Sequence, residues 1–104
     1  FENYLCMNIP EKFKIAGFDI KVELVDKTDD NNFGNWNDVT NTITVAKNIS
    51  LKNGELTSLT ERQMQNTFFH ELLHAFQFYC GKEYSEIECN VFANFMVEFL
   101  ETKK

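Results

Sequence analysis

Thr60-Glu61-Arg62-Gln63-Met64-Gln65-Asn66-Thr67-Phe68-Phe69-His70-Glu71-Leu72-Leu73-His74-Ala75-Phe76-Gln77-Phe78-Tyr79-Cys80-Gly81 decides how the rest of the chain is read. Met64, Phe68, Leu72, Ala75 and Tyr79 recur at helical intervals, and Phe69, Leu73 and Phe76 widen the stripe, as in a helix with one face on a core. Ser58 and Thr60 are both suitable N-caps, each with Glu61 or Gln63 three residues on, the spacing of a capping box. Gly81 supplies the stop, because a helix commonly ends on a residue in the left-handed region. A second helix is expected from about Ser85 to Glu101, carrying Val91, Phe92, Phe95, Met96, Phe99 and Leu100.

Upstream the period changes. Phe18-Asp19-Ile20-Lys21-Val22-Glu23-Leu24 alternates apolar and charged, the pattern of a strand with one buried face. It is bounded by Gly17 and by an Asp- and Asn-rich stretch from Asp26 to Asn32 that favours turns. Thr42-Ile43-Thr44-Val45-Ala46 is a second, β-branched run, and Phe33-Gly34-Asn35-Trp36 reads as a short third strand. The segment from Phe1 to Met7 is weakly apolar and reads as a short helix. The expected product is a small antiparallel meander packed on two helices: an α+β fold forming one domain over residues 1–104. No repeat, low-complexity tract or linker interrupts it.

Composition narrows the function classes. Hydrophobic residues make up 43% and charged residues 25% of the 104, with 11 Phe, 4 Gly and 1 Pro, a globular composition with long elements and few breaks. No apolar run approaches the ~20 residues of a membrane-spanning helix, and no basic stretch leading into an apolar one marks secretion. The net charge of −6, with Lys and Arg scattered singly before Lys103-Lys104, argues against a nucleic-acid partner and against an anionic membrane surface. Cys6, Cys80 and Cys89 are an odd set without CxxC spacing, which suits reduced thiols in a cytoplasmic setting.

The chemistry lies in His70-Glu71-Leu72-Leu73-His74, an H-E-x-x-H pattern in the middle of the expected helix. Residues at i and i+4 stand one above the other on a helix face, so both imidazoles can turn a nitrogen toward one ion. Glu71 is rotated off that axis, where it can take a proton from a water that the ion has acidified. His70 and His74 are the metal-ligand candidates and Glu71 the catalytic candidate; a histidine pair satisfied within a core is the bland alternative.

A catalytic zinc needs a third protein ligand and an open position. Both His are already used, so that ligand is expected to be a carboxylate on the second helix, brought alongside by the turn at Gly81. Glu86 and Glu88 are the candidates, with Glu86 ahead. Glu86, Asn90, Ala93 and Val97 form a stripe of smaller side chains that would let the helices approach, and Asn90 could bond the second nitrogen of a ligating His. Glu88 lies nearer the Phe92, Phe95 and Phe99 face. For stabilising an oxyanion, Tyr79, Tyr84, Trp36 and Asn35 are within the candidate region. Thr42 to Ala46 reads as a sheet strand, with addition of an extended peptide as its alternative use should it lie at an edge.

The HELLH helix followed by Glu86-Ile87-Glu88-Cys89-Asn90-Val91-Phe92-Ala93 resembles the ImmA/IrrE-type metallopeptidases, a branch of the gluzincins. There an E-x-x-A-N-x-F-A helix follows the HExxH helix. Glu86, Asn90, Phe92 and Ala93 match it, and Cys89 stands where the family has Ala. Glu86 and Asn90 are also similar to the E-x-x-x-D pattern of thermolysin-like enzymes, with Asn for Asp. The resemblance covers about the C-terminal 45 residues. It implies a minimal zincin-like fold, zinc held by His70, His74 and Glu86, and cleavage of an intracellular protein substrate, in a phage or other mobile-element setting. The rival expectation is a zincin-like module that binds or regulates a partner protein without catalysis; a metal-free helical scaffold is a third.

Overall fold

The computed structural model describes residues 4–6 and 9–104. Its elements in chain order are β1 (Tyr4–Cys6), β2 (Ile9–Pro10), β3 (Lys12–Ile15), β4 (Phe18–Val25), β5 (Gly34–Asn37), β6 (Thr42–Ala46), β7 (Asn48–Ser50), β8 (Leu56–Ser58), α1 (Glu61–Tyr79) and α2 (Glu86–Thr102). Both helices begin and end within a residue or two of where their caps and periodicity put them. The α+β class holds: a four-stranded sheet, two small ribbons and two helices.

The strands depart from the expected meander. The sheet order is β3-β4-β6-β5, and β4 runs parallel to β6, so the sheet is mixed rather than antiparallel. The cause is the segment 26–33. It carries the chain one strand-width beyond β4 before β5 begins, and the β5–β6 hairpin then folds back into the gap. Side chains hold the detour open: Thr28 Oγ1 bonds Asn32 Oδ1 at 2.8 Å, Asn32 N donates to Thr28 Oγ1 at 2.9 Å, and Asn31 exchanges bonds with the backbone of Ser50. β6 is therefore an interior strand. It has no free edge for a peptide, and the edge strands of this sheet are β3 and β5.

Five of the strands were not anticipated. β3 joins β4 through Ala16 and Gly17, both at positive φ (51° and 84°), the two-residue turn that matches the twist of a hairpin. β7 and β8 pair as a short ribbon ahead of α1. At the N-terminal end, Tyr4–Cys6 pairs antiparallel with Ile9–Pro10, so the helix expected over Phe1 to Met7 is not formed there; Phe1 to Asn3 and Met7 lie outside the described residues. One or two turns cannot offset the cost of helix nucleation, whereas a neighbouring strand supplies partners at once.

Ile20 and Val22 of β4, Ile43 and Val45 of β6, and Ile9 meet Phe68 and Phe69 of α1 and Ala93 and Val97 of α2 in one core. The alternation read over Phe18 to Leu24 is realised at its centre, with Ile20 and Val22 buried and Asp19, Lys21 and Glu23 exposed, while Phe18 at the start of the strand is exposed. Thr60 caps α1 through a complete capping box with Gln63, while Ser58 ends β8 instead. At the other end Gly81 takes φ 69°, with Lys82 N bonding Gln77 O and Gly81 N bonding Phe78 O, a Schellman closure. That turn sends α2 back along α1. The pair is tied by Arg62–Glu101 at 2.8 Å and Asn66–Asn94 at 2.9 Å.

Candidate metal centre

His70 and His74 project from the middle of α1 with their ring centroids 4.9 Å apart. Ser85 caps α2 by accepting from Glu88 N, and this fixes Glu86 as the helix's first residue, directly opposite the two rings. Its carboxylate lies between them: Oε2 is 3.1 Å from His70 Nε2 and Oε1 is 2.7 Å from His74 Nε2. The imidazoles are largely buried, at 16% and 11% side-chain exposure, while Glu86 keeps 70% and leaves the front of the group open to water. Glu88 stands apart from the histidines and accepts from Gln77 Nε2 at 3.2 Å. Of the aromatic face it lies near, Phe92 packs on Phe69 while Phe95 and Phe99 are exposed, and Glu88 is itself exposed.

Glu71 is buried at 9% exposure on the floor of the cleft beside them. Burial first, and the negative charge of Glu86 second, push its carboxyl up to about 7. An acid so placed exchanges a proton near neutrality, as a general base needs to. The cleft has a volume of about 380 Å³ and is walled by Gly34, Asn35 and Trp36 of β5 and by Tyr84. A second lobe of about 300 Å³ continues past His70 and Glu71 to Phe33, Asn66, Thr67 and Asn90. A larger hollow of about 620 Å³ over the β3–β4 hairpin contains none of these groups.

β5 is held against α1 by the absence of a side chain. A Cβ at Gly34 would come 2.4 Å from Thr44 O and 2.6 Å from Thr67 Cγ2, so only glycine allows this approach. Trp36 packs against Phe78 and Tyr79, and its indole N–H is buried without a partner. Among the four oxyanion candidates, Asn35, Trp36 and Tyr84 line the cleft. Tyr79 does not: it stacks on Phe18, and its hydroxyl donates to Asn41 Oδ1.

The partner of the second histidine nitrogen is a correction. Asn90 is exposed and bonds neither imidazole; Cys89 takes that place, its Sγ 3.5 Å from His74 Nδ1 and 3.7 Å from Gln77 Oε1. Burial, then the charges of Glu86, Glu71 and Glu88, push its thiol up to about 11, so it stays protonated. It can then donate to Gln77 while accepting from His74 Nδ1–H, the tautomer in which Nε2 would be free to bind an ion held between it and Glu86. His70, His74 and Cys89 do offer ligand atoms within 4.8 Å of one another. Cys89, however, meets His74 at Nδ1, on the side of the ring away from Glu86, so it backs the ring. Cys80 and Cys89 are both free thiols.

Two imidazole nitrogens and a carboxylate that meet at one point, with the remaining side open, are a donor set that fits a divalent ion. No helix among the described residues is long and apolar enough to cross a membrane. Compared with models of known families, with curated proteins and with solved structures, the chain has no match.

Proposed function

We propose that the chain is a zinc-dependent metallopeptidase of the ImmA/IrrE kind, acting on a protein or peptide inside the cell. The observation that carries this reading is the carboxylate of Glu86 held within 3.1 Å and 2.7 Å of the Nε2 atoms of both HExxH histidines. His70, His74 and Glu86 would hold the ion, whose Lewis acidity lowers the pKa of water and polarises a carbonyl. Cys89 and Gln77 keep His74 in the tautomer that presents Nε2.

Glu71 supplies the proton transfers. Its carboxylate takes a proton from the attacking water as the water's oxygen bonds to the carbonyl carbon, then gives it to the departing amine when the C–N bond breaks. With the charge of Glu86 offset by the ion, Glu71 would favour the carboxylate form that accepts the water's proton. Substrate recognition is supported by β5, which has a sheet neighbour on one side only and lines the cleft through Gly34, Asn35 and Trp36. An extended peptide adding to that edge would run past Glu71.

The test compares wild type with Glu71→Gln in extract of the native cell. Both are expected to bind zinc, and a protein that disappears in the presence of wild type is expected to persist with the variant. Equal loss of that protein with both would remove Glu71 as the base. No loss with either, while zinc is bound, would favour the non-catalytic binding module.

A further inference from the structure

β5 presents a defined set of main-chain groups at the sheet edge. Ala46 N donates to Phe33 O at 2.8 Å, and the β5–β6 register sets Asn35 opposite Thr44 and Asn37 opposite Thr42. An antiparallel ladder bonds through every second residue, so Phe33, Asn35 and Asn37 direct their main-chain groups at β6. The N–H and C=O of Gly34 and Trp36 therefore face the other way, to the free side of the strand. Residues directly opposite each other on neighbouring strands carry their side chains on the same face of the sheet. At Gly34 that face is the α1 side, since a Cβ there would point at Thr67 Cγ2. A peptide residue bonded opposite Gly34 thus sends its side chain toward α1. There it meets the second lobe of the cleft, about 300 Å³, which shares His70 and Glu71 with the first lobe and is completed by Asn66, Thr67, Asn90 and Phe33.

The polar side chains of this lobe leave a particular set of groups unmet. Asn66 Nδ2 donates to Asn94 Oδ1 at 2.9 Å, so Asn66 Oδ1 stays available as an acceptor. Thr67 Oγ1 gives its single proton to Gln63 O at 3.0 Å and can then only accept. Asn90 is exposed, and its amide bonds nothing among the described residues, so it offers both an oxygen and an N–H. Two neighbouring acceptors beside a free amide match a primary amide, whose NH2 would donate to Asn66 and Thr67 while its oxygen accepts from Asn90. The other side-chain classes fit less well. An apolar group would cover these atoms without bonding them. A carboxylate would meet the charge of Glu71, and a cation would pair with Glu71 and draw the base away from the water.

We infer that the second lobe is the subsite for a residue flanking the cleaved bond, and that it selects an uncharged amide side chain, Asn or Gln, read by Asn90. The inference rests on the peptidase reading of the cleft and adds the substrate class to it.

The test has two arms, both using a library of short linear peptides with randomised centres. In one, zinc-loaded Glu71→Gln captures peptides; in the other, zinc-loaded wild type cleaves them. Captured peptides are expected to favour Asn or Gln about 10-fold over Leu, Asp and Lys at one position, and cleaved peptides to show the same preference beside the cut. Asn90→Leu, at an exposed position, is expected to abolish the preference with the melting temperature unchanged, and Asn90→Asp to move it toward Lys and Arg. Cleavage or capture without a preference at any position overturns the inference and leaves the peptidase reading standing. So does a preference that Asn90→Leu and Asn90→Asp leave unmoved, or one for another class of side chain. Capture with the amide preference but no cleavage by wild type supports the subsite and overturns the peptidase reading instead. Neither capture nor cleavage overturns both.

Discussion

Glu71 is the sole carboxylate among the buried described residues, and replacing it by Gln tests both its burial and its proton affinity. In the metal-free protein its pKa rises from 4.5 to about 7, by burial and then by Glu86. Below pH 4.5 the carboxyl is protonated in the folded and unfolded chain alike, and its favourable contribution is fully present. As pH rises, the unfolded chain releases the proton first, so stability falls through the window from 4.5 to about 7 and is level above it. A difference of 2.5 pKa units at 1.36 kcal/mol each is about 3 kcal/mol. That is a large part of the 5–15 kcal/mol typical of a domain. Gln has the shape of the protonated acid and no charge to bury. Urea denaturation of chelator-treated protein between pH 5 and pH 8 is the assay. Glu71→Gln is expected to exceed wild type by less than about 1 kcal/mol at pH 5 and by about 3 kcal/mol at pH 8, where the gap is more than ~10 °C in melting temperature. Parallel stability curves for the two proteins across that range would refute the reasoning, because they would mean that Glu71 ionises as a solvated acid does.

Gly34→Ala forces a methyl into Thr44 O and Thr67 Cγ2 and is expected to cost about 1–3 kcal/mol by thermal melting, with the loss recovered in part by Thr67→Ser. Glu86→Gln is expected to lower zinc affinity in a competition titration by far more than Glu88→Gln does, since only Glu86 faces both imidazoles; equal effects would move the third ligand to Glu88. Cys89→Ala removes the group behind His74 and should weaken zinc binding about 10- to 100-fold, as loss of outer partners of a ligating histidine does, with α-helical content unchanged by circular dichroism. Thr60→Ala should cost about 1 kcal/mol in urea, because it strips the capping box from α1.

What the sequence disclosed follows the range of the forces involved. The two helices were legible to within a residue or two because caps, periodicity and the glycine stop all act within a few positions of one another: Thr60 with Gln63, Gly81 with Gln77 and Phe78, Ser85 with Glu88. The meeting of His70 and His74 on one face is a property of the helix itself. The approach of Glu86 to the two rings follows from the reversal after Gly81, residues 80–85 being long enough to bring the start of α2 back alongside α1. β3 had a local signal that passed unread, the alternation Lys12-Phe13-Lys14-Ile15 followed by a two-residue turn at Ala16-Gly17. The parallel pairing of β4 with β6 had none. It depends on how far segment 26–33 swings out, and that is decided by Thr28, Asn31 and Asn32 bonding to atoms whose positions the completed fold creates.

Cys89 lay between these cases. Taking Glu86 as the origin of the inner face of α2 and stepping four residues leads to Asn90, and so to an amide behind the histidine. The inner face is set instead by what the core accepts. Ala93 and Val97 are fully buried, and a step of four back from them lands on Cys89. Glu86, at the first turn, stands at the rim of that face with its carboxylate reaching across in front of the rings, while the thiol three residues later passes behind them. One α-helical turn thus serves both sides of His74, the ligand side from its edge and the supporting side from its buried centre. Only a small side chain can do the second without forcing α2 away from α1, and the thiol of Cys89, fully buried between the helices, is small enough.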